Sequence, residues 1–171
     1  ITSGGGQVTL QADRDLFFSD AGSIDNETGS ETVHLRADRD LISGGKISMD
    51  DGSYVDATDG LIQVSASNDI TIGLLETSTD IEIVSTVGSV LDNDTEVVHV
   101  NDFRANQILI SSQGIGQSDN PLETQVNVFE AAAGTGVVYL DDQGGLQVGG
   151  LIGHAFGNGL TNNGVAAVAD I

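Results

Sequence analysis

The chain has 171 residues, with 26 acidic side chains against 5 basic ones and a formal net charge of −21. Such a surface repels nucleic acid and anionic membranes, because phosphate binding needs clustered Lys and Arg. With no Cys there is no disulfide framework, thiolate metal site or thiol chemistry, and no apolar run approaches the ~18–20 residues of a membrane helix.

High negative charge with few aromatics can signal disorder, but here 39% of residues are hydrophobic and they recur periodically. The 23 Gly and single Pro imply many turns between short segments. The opening Ile1-Thr-Ser-Gly-Gly-Gly6 is no signal peptide. It begins mid-pattern, as a piece cut from something longer would.

One phrase is written twice in almost the same letters: Gln7-Val-Thr-Leu-Gln-Ala-Asp-Arg-Asp-Leu16 and Thr32-Val-His-Leu-Arg-Ala-Asp-Arg-Asp-Leu41. A looser third copy runs Leu61-Ile-Gln-Val-Ser-Ala-Ser-Asn-Asp-Ile70. Val8, Leu10 and Ala12, then Val33, Leu35 and Ala37, then Ile62, Val64 and Ala66 alternate with polar residues. That alternation marks a strand with one buried face, and its recurrence marks a repeat architecture.

Further along, Ile81-Glu-Ile83, Val98-His-Val100, Ile108-Leu-Ile110, Val126-Asn-Val128, Val138-Tyr-Leu140 and Leu146-Gln-Val148 continue the signal. With Val8, Val33, Ile62, Ile81, Ile108 and Val126 as equivalent starts, the mean step is (126 − 8)/5, about 24 residues, inside the range of stacked repeats. Shorter strands fit between at Leu16-Phe-Phe18, Lys46-Ile-Ser-Met49, Tyr54-Val55 and Ile70-Thr-Ile72, separated by Gly44-Gly45, Asp51-Gly52, Asp59-Gly60, Gly144-Gly145 and Gly149-Gly150. Glu130-Ala-Ala-Ala133 is the one helix candidate, too short to hold alone.

The expected fold is all-β: a right-handed parallel β-helix (β-solenoid) of roughly seven coils of about 24 residues. Residues 1–150 form the coils, and 151–171 are the start of a further coil or a loosely packed end. The rival is an antiparallel sandwich, which has no reason to write the same letters twice. Stacking in register would set Asp13 over Asp38 and Asp15 over Asp40, with Arg14 and Arg39 offsetting the repulsion.

The C-terminal half adds Gln113-Gly-Ile-Gly-Gln-Ser-Asp-Asn-Pro-Leu122, Glu123-Thr-Gln-Val126, Gly136-Val-Val-Tyr-Leu140 and Gly145-Leu-Gln-Val-Gly-Gly150. In that order these phrases resemble a module of filamentous-haemagglutinin-like giant exoproteins, which are repetitive bacterial surface adhesins. The resemblance covers about Gln7 to Gly150 and carries turn-and-strand patterns only. It implies a β-helical shaft on the bacterial cell surface and no reaction.

Candidate chemistry is sparse. Asp141-Asp142 with Gly153-His154 superficially resembles elements of polygalacturonases, but their Asn-Thr-Asp and Arg-Ile-Lys elements are absent. Asp141-Asp142 reads more simply as a turn before Leu146. His34, His99 and His154 lack the spaced partners of a zinc site. Asp92-Asn-Asp-Thr-Glu96 is rich in oxygen ligands, yet Val97 and Phe103 stand where an EF-hand needs Gly and Glu. Gly134-Thr-Gly136 lacks the Lys and Ser/Thr of a phosphate loop. Asn26-Glu-Thr28 and Asn93-Asp-Thr95 match the glycosylation pattern, which is too common to weigh.

The sequence therefore points to a non-catalytic structural or adhesive shaft segment of a large extracellular bacterial surface protein. No catalytic, cofactor-binding or metal residue is assigned, and no cofactor is expected beyond weak or adventitious calcium. Its partners would be neighbouring coils of the same long chain, an end-to-end copy of itself, or a carbohydrate or protein receptor, with no nucleic acid and no membrane insertion. The alternatives are a self-assembling filament subunit and a carbohydrate-binding or carbohydrate-cleaving β-helix, although 4% aromatic residues is thin for a sugar cleft.

Overall fold

Residues 1–39, 44–93 and 101–150 are described by a computed structural model. The alternating phrases form strands β2 (Val8–Ala12), β5 (Val33–Ala37), β8 (Ile62–Ala66) and β11 (Asp80–Ser85). They pair side by side and parallel, with Val8 opposite Val33, Val33 opposite Ile62, and Ile62 opposite Ile81. A second limb holds β1 (Thr2–Ser3), β4 (Ser23–Asn26), β7 (Tyr54–Asp56) and β10 (Leu74–Glu76), again parallel. A separate four-stranded sheet contains β3 (Leu16–Phe18), β6 (Ile47–Met49), β9 (Ile70–Ile72) and β12 (Val90–Asp92). Among the described residues the strands pair in parallel throughout, which disposes of the antiparallel sandwich.

The expected β-helix of roughly seven similar coils is corrected by the strand order. The two limbs are not separate faces of a stack. They belong to one twelve-stranded, nearly closed, barrel-like sheet ordered β1-β4-β7-β10-β13-β11-β8-β5-β2. The cause is β13 (Phe103–Ser112), whose first residues pair with β10 and whose later residues pair with β11. Ala105, Asn106 and Gln107 have no apolar alternation, yet the backbone stays extended through them. The Thr79 carbonyl accepts from the N–H groups of both Asn106 (2.8 Å) and Gln107 (3.2 Å), stitching the bend between β10 and β11 onto this one strand.

Strand β14 (Leu122–Ala133) runs along β13 and carries β15 (Leu140–Asp142) and β16 (Gln147–Val148) on its other side. Two local expectations change here. The partner of Ile108 is Phe129, while Val126 opposes Ala105. Glu130 to Ala133, the helix candidate, finishes β14 as strand.

Inward-facing aliphatics from all three rows merge in one core that reaches from Val8 to Phe129. Ile24, Ile47, Ile62, Ile70, Ile81, Phe103 and Ile108 are fully buried within it. Burying a side chain of this size is worth ~1.5–3 kcal/mol, so the core is the main stabilising term. Turns are tight where rows meet: a Cβ at Gly60 would collide with the Glu31 carbonyl, so that position excludes any side chain.

The repeated Asp before each aliphatic residue has a structural use. Asp15 accepts a hydrogen bond from the Lys46 N–H (3.0 Å), and Asp69 accepts one from the Ser89 N–H (2.8 Å), each tying its phrase to the next layer. Arg39 meets Asp13 at 3.6 Å, as the offsetting role requires. Asp38 departs from the expected ladder over Asp13: it is buried, and its φ of 56° turns the chain while its N–H donates to the Arg14 carbonyl. Asp40 lies outside the described residues, as do residues 151–171.

Candidate functional site

Sequence reasoning assigned no site residue, yet the fold gathers three carboxylates at one junction. In β12, Val90 and Asp92 pair with Ile70 and Ile72, both fully buried. Strand alternation therefore puts Asp92 in a slot that the neighbouring layer fills with isoleucine. Asp102 stands just before β13, and Glu123 is the second residue of β14. The Asp102 N–H donates to the Glu123 carbonyl (2.9 Å), and the Glu123 N–H donates to Asp102 Oδ2 (2.8 Å).

Asp92, Asp102 and Glu123 each offer a carboxylate oxygen, and these oxygens lie within 4.8 Å of one another. Asp102 and Glu123 are buried and Asp92 half-buried. Burial above all, and then the charge of Asp92, push the Asp102 carboxyl up to about 10. The hydrogen bond and charge of Asp92 and the charge of Glu123 act in the same sense, and the Glu123 N–H opposes them. At neutral pH, Asp102 accordingly keeps its proton and can donate it to a neighbouring carboxylate, which is how like-charged acids share a dry space.

Chemically, the trio can hold a proton in place or, if that proton is displaced, present oxygen ligands to a hard cation. The oxygen-rich run at Asp92 was visible in the sequence, although its continuation from Asp94 to Glu96 lies outside the described residues. Asp102 and Glu123 were not singled out. They sit 21 positions apart and meet only because β13 and β14 run parallel in this register.

The other residues weighed for chemistry are not brought together into a site. Asp142 ends β15, where Oδ1 accepts from Thr124 Oγ1 (2.9 Å) and Oδ2 from the Gly144 N–H (2.9 Å), so it braces a strand end. His154, its supposed partner, lies outside the described residues, as does His99. His34 is half-buried on the outward side of β5. Asn26 is fully buried, with Oδ1 accepting from the Gly5 N–H (3.2 Å), which leaves no access for a glycan.

No helix among the described residues is long and apolar enough to cross a membrane. In comparisons with known proteins, no family model, curated protein or solved structure matches the chain, and nothing there identifies it as a filamentous-haemagglutinin-like adhesin.

Proposed function

We propose that the chain is a non-catalytic structural and adhesive segment of a large extracellular bacterial surface protein. The supporting observation is the register: the near-identical phrases at Val8–Ala12 and Val33–Ala37 lie directly side by side, residue for residue, with the looser copy at Ile62 next in line. Strands that repeat one another residue for residue bury like against like, which suits a structural role. The acidic exterior favours solubility and resists lateral aggregation. The resemblance to filamentous-haemagglutinin-like exoproteins points the same way.

Displayed on a non-adherent bacterial cell, the chain should raise retention on arrays of glycans and matrix proteins. Retention equal to that of bare cells would sink the adhesive reading, and turnover of a polysaccharide by the purified chain would sink the non-catalytic one.

A second reading, a self-associating filament subunit, draws on Val137 and Val148, which are 58% and 52% exposed near β15 and β16. Light scattering of the full chain separates the two: concentration-dependent growth supports assembly, and a constant monomer mass removes it.

A further inference from the structure

The outward side of β2, β5, β8 and β11 carries two side-chain ladders in register. One runs Thr9, His34, Gln63, Glu82, and the other Gln11, Arg36, Ser65, Val84. Rungs are spaced about 4.8 Å apart, and between the ladders lies a groove of about 290 Å³. That is near the lower edge of small-molecule sites, roughly 300–1,000 Å³.

Arg36 is the unusual occupant. In a chain with 26 acidic residues it is half-buried, and its Nε is fully buried with no hydrogen-bond partner. Arg39 and Arg104, by contrast, meet carboxylates, Asp13 at 3.6 Å and Glu76 at 3.5 Å. With Nε shut off from water and unpaired, the guanidinium is only partly solvated, and a carboxylate on its terminal nitrogens would offset that cost through charge-assisted hydrogen bonds.

Across the groove the chemistry changes. Gln63 Nε2 donates to Glu82 Oε2 at 2.6 Å, forming an amide–carboxylate pair suited to accepting from and donating to hydroxyls. Burial lowers the pKa of His34, with the charge of Glu82 opposing, so the imidazole is neutral at neutral pH and adds a further donor and acceptor. One end thus favours negative charge, and the other favours neutral hydroxyls while repelling a carboxylate.

We propose that this groove binds a single carboxylate-bearing sugar of the uronic-acid type, its carboxylate on Arg36 flanked by Gln11 and Ser65, and its hydroxyls on Gln63, Glu82 and His34. The proposal gives the adhesive reading a ligand class, but the groove's chemistry stands whether or not the chain mediates adhesion. Because one cation grips one carboxylate, a run of uronic acids gains nothing from further residues and meets the field of a molecule with net charge −21.

The test is titration of the full chain, followed by calorimetry or amide chemical shifts, with galacturonic acid, its methyl glycoside, galactose and acetate. Galacturonic acid should bind at least tenfold more tightly than either galactose, which lacks the carboxylate, or acetate, which lacks the hydroxyls. Equal binding of the methyl glycoside marks a glycan-terminal residue as the ligand, and binding of the free acid alone marks a free sugar acid; both keep the carboxylate on Arg36. Arg36→Gln should lose at least tenfold in affinity, with a melting curve like that of the parent chain. Should Arg36→Gln fail to fold, Glu82→Gln serves instead, and it should narrow the preference for galacturonic acid over acetate. Galactose binding as well as galacturonic acid, or either folded variant binding with parent-like affinity and selectivity, would overturn the proposal. Binding in solution without cell adhesion would remove the adhesive reading and leave the groove intact.

Discussion

The row β2-β5-β8-β11 and the junction of β12, β13 and β14 solve the same problem with opposite chemistry. In the row, each inward slot repeats an aliphatic residue, so Val33, Ile62 and Ile81 stack like on like. At the junction, Asp92 takes a slot beside a buried isoleucine, and Asp102 and Glu123 close around it. Interchangeable inward residues supply stability, and the row's polar chemistry is left to its outward side. A rung that gives up an aliphatic residue for a carboxylate accepts a desolvation cost that must be met by a proton, a hydrogen bond or a ligand.

The comparison can be broken first in the row. Ile62→Ala removes a fully buried side chain between two aliphatic neighbours and should cost about 2–5 kcal/mol in chemical denaturation. A loss below about 1 kcal/mol, less than the ordinary transfer term, would mean that the row is not the stabilising element.

The junction should respond with the opposite sign. Folded Asp102 holds its proton up to about 10, whereas the ordinary aspartate value, kept in the unfolded chain, is 3.8. Between those values the folded state binds the extra proton, so this group's contribution falls as pH rises. Asp102→Asn should therefore stabilise the chain at pH 8 by on the order of 1.4 kcal/mol or more, the worth of one pKa unit. It should also flatten the decline of the denaturation midpoint between pH 5 and 9. A parallel decline in both proteins would place the cause elsewhere, in the general charge repulsion.

Smaller effects sharpen the contrast. Thr77 is buried and its Oγ1 donates to the Gly60 carbonyl at 2.6 Å, so Thr77→Val should cost about 1 kcal/mol by urea titration. Glu76 and Arg104 meet at 3.5 Å with both side chains 42% exposed. Glu76→Gln should change stability by less than about 0.5 kcal/mol, and high salt should erase even that.

What the sequence showed follows from what each position packs against. The aliphatic sides of Val8, Val33 and Ile62 touch their own kind, so selection for fit leaves a repeated phrase that can be read without coordinates. The Asp of each phrase was legible too, although its work on the next layer's N–H was not. The merging of the limbs was hidden because Ala105, Asn106 and Gln107 carry no apolar alternation, and they are held extended by partners distant in sequence, Thr79 on one edge and β14 on the other. The acidic junction was hidden for a related reason. Its members come from three rungs and two sheets, and no local spacing announces residues that meet only through register.

A strand shared by two limbs also governs how the molecule comes apart. Phe103 and Arg104 hold β10 while Ile108 to Ser111 hold β11, so peeling either limb away strains the same ten-residue splint. Fraying that begins at the short outer strands would halt there, and amide protons of β10 and β11 would exchange together, as one foldon with a common opening energy.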